Sequence, residues 1–152
     1  MKVLLPVATE NPDKKLIDWA VKCVDTMKAE LDVLNVQYSY ETFTLAYPTY
    51  PEFVYVSDVS NKTHDEKSLS QAKKIAETVA EKIKSKSNSK AKVRAIAEIG
   101  DPALCIIQLA EKKGYDLILI KDRDRSDVGR FFLGSITDKV VHHTNLPVLV
   151  LK

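Results

Sequence analysis

Five short apolar runs punctuate the chain: KVLLPVA (2–8), LDVLNVQY (31–38), KVRAIAEI (92–99), DLILI (116–120) and PVLVL (147–151). Most of the segments between them repeat their apolar residues at three- and four-residue spacing instead. This alternation constrains the fold more than any other feature. A run that is apolar at consecutive positions has two faces to bury, which suits a strand covered on both sides. The amphipathic helices between the runs supply that cover and carry the chain back to start the next strand in the same direction. The expected class is therefore α/β, with a mostly parallel sheet wound on both faces. A length of 152 residues suits one domain, residues 1–152, with a core large enough to stand without staples.

Local signals place the elements. Asn11, Pro12 and Asp13 read as a cap, a first helical proline and a first-turn acid. Leu16, Ile17, Ala20, Val21, Val24, Met27 and Leu31 then recur at helical spacing, predicting a helix over 12–30. Leu69, Ala72, Ile75, Ala76, Val79, Ala80 and Ile83 predict a second over 68–86, ended by SKSNSK. Residues 92–99 alternate in polarity, as in a strand near a sheet edge. Gly100 makes a turn, Asp101 caps and Pro102 opens a third helix, with Leu104, Ile107 and Leu109 or Ala110 inward and Gly114 ending it. A last helix is expected over 136–143. Ser135 and Asp138 have the spacing of a capping box at its start.

The most apolar strands, the first and fourth, belong in the middle. The order 3-2-1-4-5 with right-handed crossovers puts them there. The winding then reverses between strands 1 and 4, and ligands in such sheets bind beyond the carboxyl ends of the strands at that switch. Those ends are Ala8-Thr9-Glu10 and the loop KDRDRSDVGRFFLGS (121–135).

Several function classes are excluded or weakened. A net charge of +2, with no basic block, gives no reason to expect a nucleic-acid partner. No run approaches the roughly 18 apolar residues of a membrane span. The N-terminus reads as a first strand rather than a secretory signal. Two cysteines, Cys23 and Cys105, without a Cys-x-x-Cys motif, read as free thiols in a reducing compartment, so the cytoplasm is the expected location. Neither a Gly-x-Ser-x-Gly elbow nor a Gly-x-Gly-x-x-Gly turn is present, and no catalytic residue is assigned. His142 and His143 are adjacent on one helix and point different ways, so no metal site is expected.

The segments KVLLPVATENPDKKLIDWA, GDPA (100–103), DLILI, LGS (133–135) and VVHHTNLPVLVLK (140–152) together resemble the universal stress protein family across essentially the whole chain. The resemblance implies a flavodoxin-like, HUP-type α/β fold: a five-stranded parallel sheet in the order 3-2-1-4-5 with helices on both faces. It also implies a cytoplasmic stress-response protein, usually a homodimer paired through the last strand, 147–151. Many members bind ATP through glycine, two residues, glycine, nine residues, then glycine and Ser or Thr. Those positions are Lys121, Asp124, Gly134 and Ser135 here. An Asp at the end of strand 1 is usual in ATP-binding members, and Ala8 stands there.

The resemblance is therefore strong in scaffold and broken in signature. A glycine-rich loop brings backbone N–H groups close to phosphate, often with φ above zero. Lys121 and Asp124 put side chains in that space. Four basic residues (Lys121, Arg123, Arg125, Arg130) against three acids (Asp122, Asp124, Asp127) leave little attraction for a triphosphate. What survives is Gly134-Ser135 before a helix, whose N-terminus suits an anion. The candidate nucleotide or anion contacts are Ala8, Thr9, Val36, Lys121, Arg123, Gly134, Ser135 and Ile136. Two readings stay open: a protein acting through contacts with an unknown protein partner, or a nucleotide binder holding ATP or AMP by side chains, with weak hydrolysis at most. Residues 38–55 carry five of the six tyrosines, and the sequence does not choose between packing, a lid and a partner surface for them.

Overall fold

The computed structural model describes residues 1–38, 58–122 and 133–152, with side chains in the helix that begins at Asp58 described from His64 onward. Five strands form one parallel sheet: β1 (Lys2–Pro6), β2 (Glu30–Gln37), β3 (Val93–Ile99), β4 (Leu117–Lys121) and β5 (Val148–Leu151). Their order is β3-β2-β1-β4-β5, as expected. Pairing runs Leu5↔Val33 between β1 and β2, Leu4↔Ile118 between β1 and β4, and Lys121↔Leu151 between β4 and β5. The helices among the described residues are α1 (Lys14–Asp25), α2 (Asp58–Lys86), α3 (Pro102–Lys112) and α4 (Ser135–His143).

The alternation of strand side chains divides the core in two. Val3, Leu5, Leu31, Val33 and Leu119 pack with α1 and α2 on one face. Leu4, Leu34, Ile118 and Ile120 pack with α3 and Val140 of α4 on the other. β1 is central and its Val3, Leu4 and Leu5 are fully buried, whereas Ala95–Ile99 of the edge strand β3 are only half-buried.

Caps and ends depart from the sequence reading at several points. Asp13, rather than Asn11, caps α1; its carboxylate accepts from the Lys15 N–H, and Pro12 lies before the cap. α1 stops at Asp25, short of residue 30, because Lys28 turns the chain with φ 53° and leads directly into β2. Met27 is consequently exposed and Leu31 is a strand residue. α2 starts ten residues ahead of the expected position 68. Residues 58–67 carry no apolar stripe, so their helical period was invisible. In α3, Asp101 caps through the Leu104 N–H and Pro102 opens the helix, as read. Leu104, however, is 56% exposed: the buried stripe runs through Ala103, Ile106, Ile107 and Ala110, and Leu104 shares the solvent face with Gln108 and Glu111. Leu69 is likewise exposed on α2.

α4 begins at Ser135, so its cap is Gly134, which has no side chain to offer. The Ser135–Asp138 capping box therefore does not form. Asp138 instead lies 3.7 Å from His142, one turn on. Cys23 is buried and Cys105 half-buried, both as free thiols. Burial pushes both thiols up from the ordinary cysteine value, with Glu98 and Asp101 adding to the effect at Cys105.

Candidate functional site

The carboxyl ends of β1 and β4 emerge side by side at the switch in winding. The segment after β1 is tied down at two points. The Val7 N–H donates to the Leu34 carbonyl at 2.9 Å, and the buried Asn35 amide donates to the Val7 carbonyl at 2.7 Å. Gln37 in turn donates to Asn35 Oδ1 at 2.8 Å. Further on, Lys82 Nζ of α2 donates to the Glu10 carbonyl at 2.7 Å and to Asn11 Oδ1 at 2.6 Å. Ala8 and Thr9 lie between these anchors, exposed. Sequence reasoning missed Asn35 and Lys82. The signal at Asn35 was an uncharged polar residue inside an apolar strand, where an amide requires a partner.

Val36 and Ile136 are half-buried against the same core cluster, on the α3–α4 face of the sheet. Lys121 is a ladder residue paired with Leu151, not a turn residue, and its side chain is half-buried. Among the described non-glycine residues only Lys28 has a positive φ, so Lys121 carries no left-handed backbone strain at this position. Arg123 and Asp124 lie outside the described residues, as do Arg125, Asp127, Arg130 and all of the aromatic run 38–55 except the exposed Tyr38.

Asp122 is the link between β4 and α4. Its N–H donates to the Leu151 carbonyl at 2.8 Å, extending the β4–β5 ladder by one residue. Its side chain, 7% exposed, accepts at Oδ1 from the Gly134 N–H at 2.7 Å. Gly134 is buried, with φ −62° and ψ 150°, and its carbonyl accepts the first helical bond from the Asp138 N–H. Ser135 is exposed. The site therefore brings Gly134 against the end of β4 through a carboxylate that sequence reasoning treated only as loop charge.

A second polar cluster lies toward the amino end of the sheet. Asp32, 2% exposed, accepts from Arg94 Nε at 2.6 Å, from Arg94 Nη2 at 3.1 Å and from the Tyr115 hydroxyl at 2.6 Å. Burial, and then the bond to Asp32, push the Tyr115 phenol well above its ordinary value, so it stays a donor. Lys2 lies over the Tyr115 ring at 4.3 Å. This cluster joins β2, β3 and the α3–β4 turn, away from the switch point.

The whole chain, residues 1–152, matches the sequence pattern described as the Universal stress protein family. This chain belongs to the universal stress protein family. Among curated relatives, Universal stress protein YxiE of Bacillus subtilis (strain 168) is 28% identical over 153 residues, covering 99% of this chain and 98% of the relative. In structure, this universal stress protein domain is similar to UspA from Lactobacillus plantarum, with TM-score 0.70 and 20% identity over 100% of this chain and 97% of that one. The Archaeoglobus fulgidus universal stress protein in complex with dAMP aligns at TM-score 0.54 and 18% identity, covering 100% of this chain and 98% of that chain. Both structures share the flavodoxin-like α/β fold. Among the described residues no helix is long and apolar enough to cross a membrane.

Proposed function

We propose that this chain is a cytoplasmic stress-response protein that acts as a homodimer through protein contacts, with a nucleotide cleft impaired for ATP. The observation that carries this reading is Lys121: a lysine in the β4–β5 ladder, paired with Leu151, stands at the first glycine position of the ATP signature. Ala8 supports it, because an exposed methyl group stands where a carboxylate would meet an adenine. A polar contact of that kind contributes roughly 0.5–1.5 kcal/mol.

The dAMP complex of the Archaeoglobus relative favours a second reading. On that second reading, an adenylate is held in this chain by side chains such as Arg123 and by the Gly134–Ile136 helix start, next to Ala8, Thr9 and Val36. Denaturing the purified protein and analysing the released small molecules by mass spectrometry separates the two. The first reading expects no adenylate and no melting shift with Mg-ATP; a bound adenylate or a clear shift sinks it. Under the first reading, changing Ala8→Asp, Lys121→Gly and Asp124→Gly together creates measurable ATP binding.

A further inference from the structure

We infer that Asp122 is a resident anion of the cleft: its carboxylate stands where a ligand phosphate would meet the N-terminus of α4, and it determines that this site excludes phosphate. The inference rests on the proposed reading that the cleft is impaired, and adds a cause distinct from the lost glycines.

The geometry carries it. The first N–H groups of a helix have no intrahelical acceptor and aim at an anion beyond the helix end. Here the Gly134 N–H is met at 2.7 Å by Asp122 Oδ1. The side chain is more than nine-tenths buried, so it does not drift between solvent and site. Its backbone is held as well, since its own N–H is bonded to the Leu151 carbonyl. Asp122 is thus fixed at the backbone by β5 and at the carboxylate by α4. Two anions packed against one helix end repel each other, and a buried carboxylate such as Asp122 is screened less than an exposed one. A phosphate at Gly134 has either to displace the carboxylate or to sit beside its charge.

The test compares pyrophosphate binding to the wild-type chain, Asp122→Asn and Glu77→Gln, by calorimetry at matched ionic strength and neutral pH. Asparagine keeps an oxygen that accepts from the Gly134 N–H and removes the charge. Glu77 is an exposed α2 residue near Lys73 and controls for net charge alone. Asp122→Asn is expected to bind pyrophosphate about tenfold more tightly than wild type, with Glu77→Gln unchanged. A gain below about threefold, no detectable binding by the variant, or an equal gain in Glu77→Gln overturns the inference and leaves Asp122 as a helix cap. If Asp122→Asn fails to fold by circular dichroism, Asp122→Ser takes its place, its hydroxyl accepting the same N–H. The ratio between variant and wild type decides this inference whatever the wild-type affinity. A Mg-ATP melting shift in the wild-type chain, by contrast, bears on the impaired-cleft reading alone.

Discussion

Asp32 sits in the middle of an apolar strand with its carboxylate out of water, and three donors from Arg94 and Tyr115 satisfy it. Removing one donor from a buried acceptor costs more than a typical hydrogen bond is worth. Tyr115→Phe is therefore expected to lower stability by about 1–3 kcal/mol, read as a reduced urea midpoint with an unchanged slope. Asp25 shows the same chemistry at a more open site. The Ser87 hydroxyl, and then the Asn88 and Ser89 N–H groups, hold its carboxyl below the ordinary aspartate value. A depressed folded value means the unfolded chain takes up the proton first. The stability from Asp25 is then present above the ordinary value and lost as pH falls through the folded one. Asp25→Asn should flatten the fall in urea midpoint between about pH 5 and about pH 2; an unchanged acid limb would count against this account.

At the scale of elements, α3 shows how a periodic stripe is misread by one position. Leu104 begins a plausible apolar series, yet the helix turns Ala103, Ile106, Ile107 and Ala110 to the sheet. Only the sheet's position selects between two overlapping stripes. Ile106→Ala should accordingly destabilise by about 2–4 kcal/mol, while Leu104→Ala changes stability by less than about 0.5 kcal/mol. Equal effects would mean the helix is rotated from this placement. Capping was more legible at Asp101 than at α4. Asp101 and Pro102 form a local signature, whereas the cap at Gly134 draws its partner from the end of β4, twelve residues earlier. The early turns of α2 were invisible because residues 58–67 carry no apolar stripe from which a period could be read.

Across the whole molecule, β5 is the last strand of the sheet, with no strand paired on its outer side among the described residues. Pro147 and Leu151 turn their carbonyls to β4, so the alternation of strand backbone turns the N–H and carbonyl groups of Val148 and Val150 away from it. An apolar edge with outward N–H and carbonyl groups invites pairing with a second copy, and a two-fold arrangement closes the assembly. Val150→Pro removes one outward donor without removing a bond to β4. In light scattering after size exclusion, the wild-type chain is expected as a dimer and the variant as a monomer. A variant that stays dimeric would place the interface elsewhere.

Periodicity alone determined that this chain alternates strands and helices, and the apolar content of each strand determined which lie inside the sheet. Both are local properties, because burial repeats with the two-residue and 3.6-residue periods of the backbone. What only the tertiary structure decided is which polar groups meet: Asp32 with Tyr115, 83 residues apart, and Asp122 with the N–H of Gly134. A carboxylate reads the same in sequence whether it lies in solvent or at a helix end, since its partner is chosen by which strand ends lie level in the folded sheet.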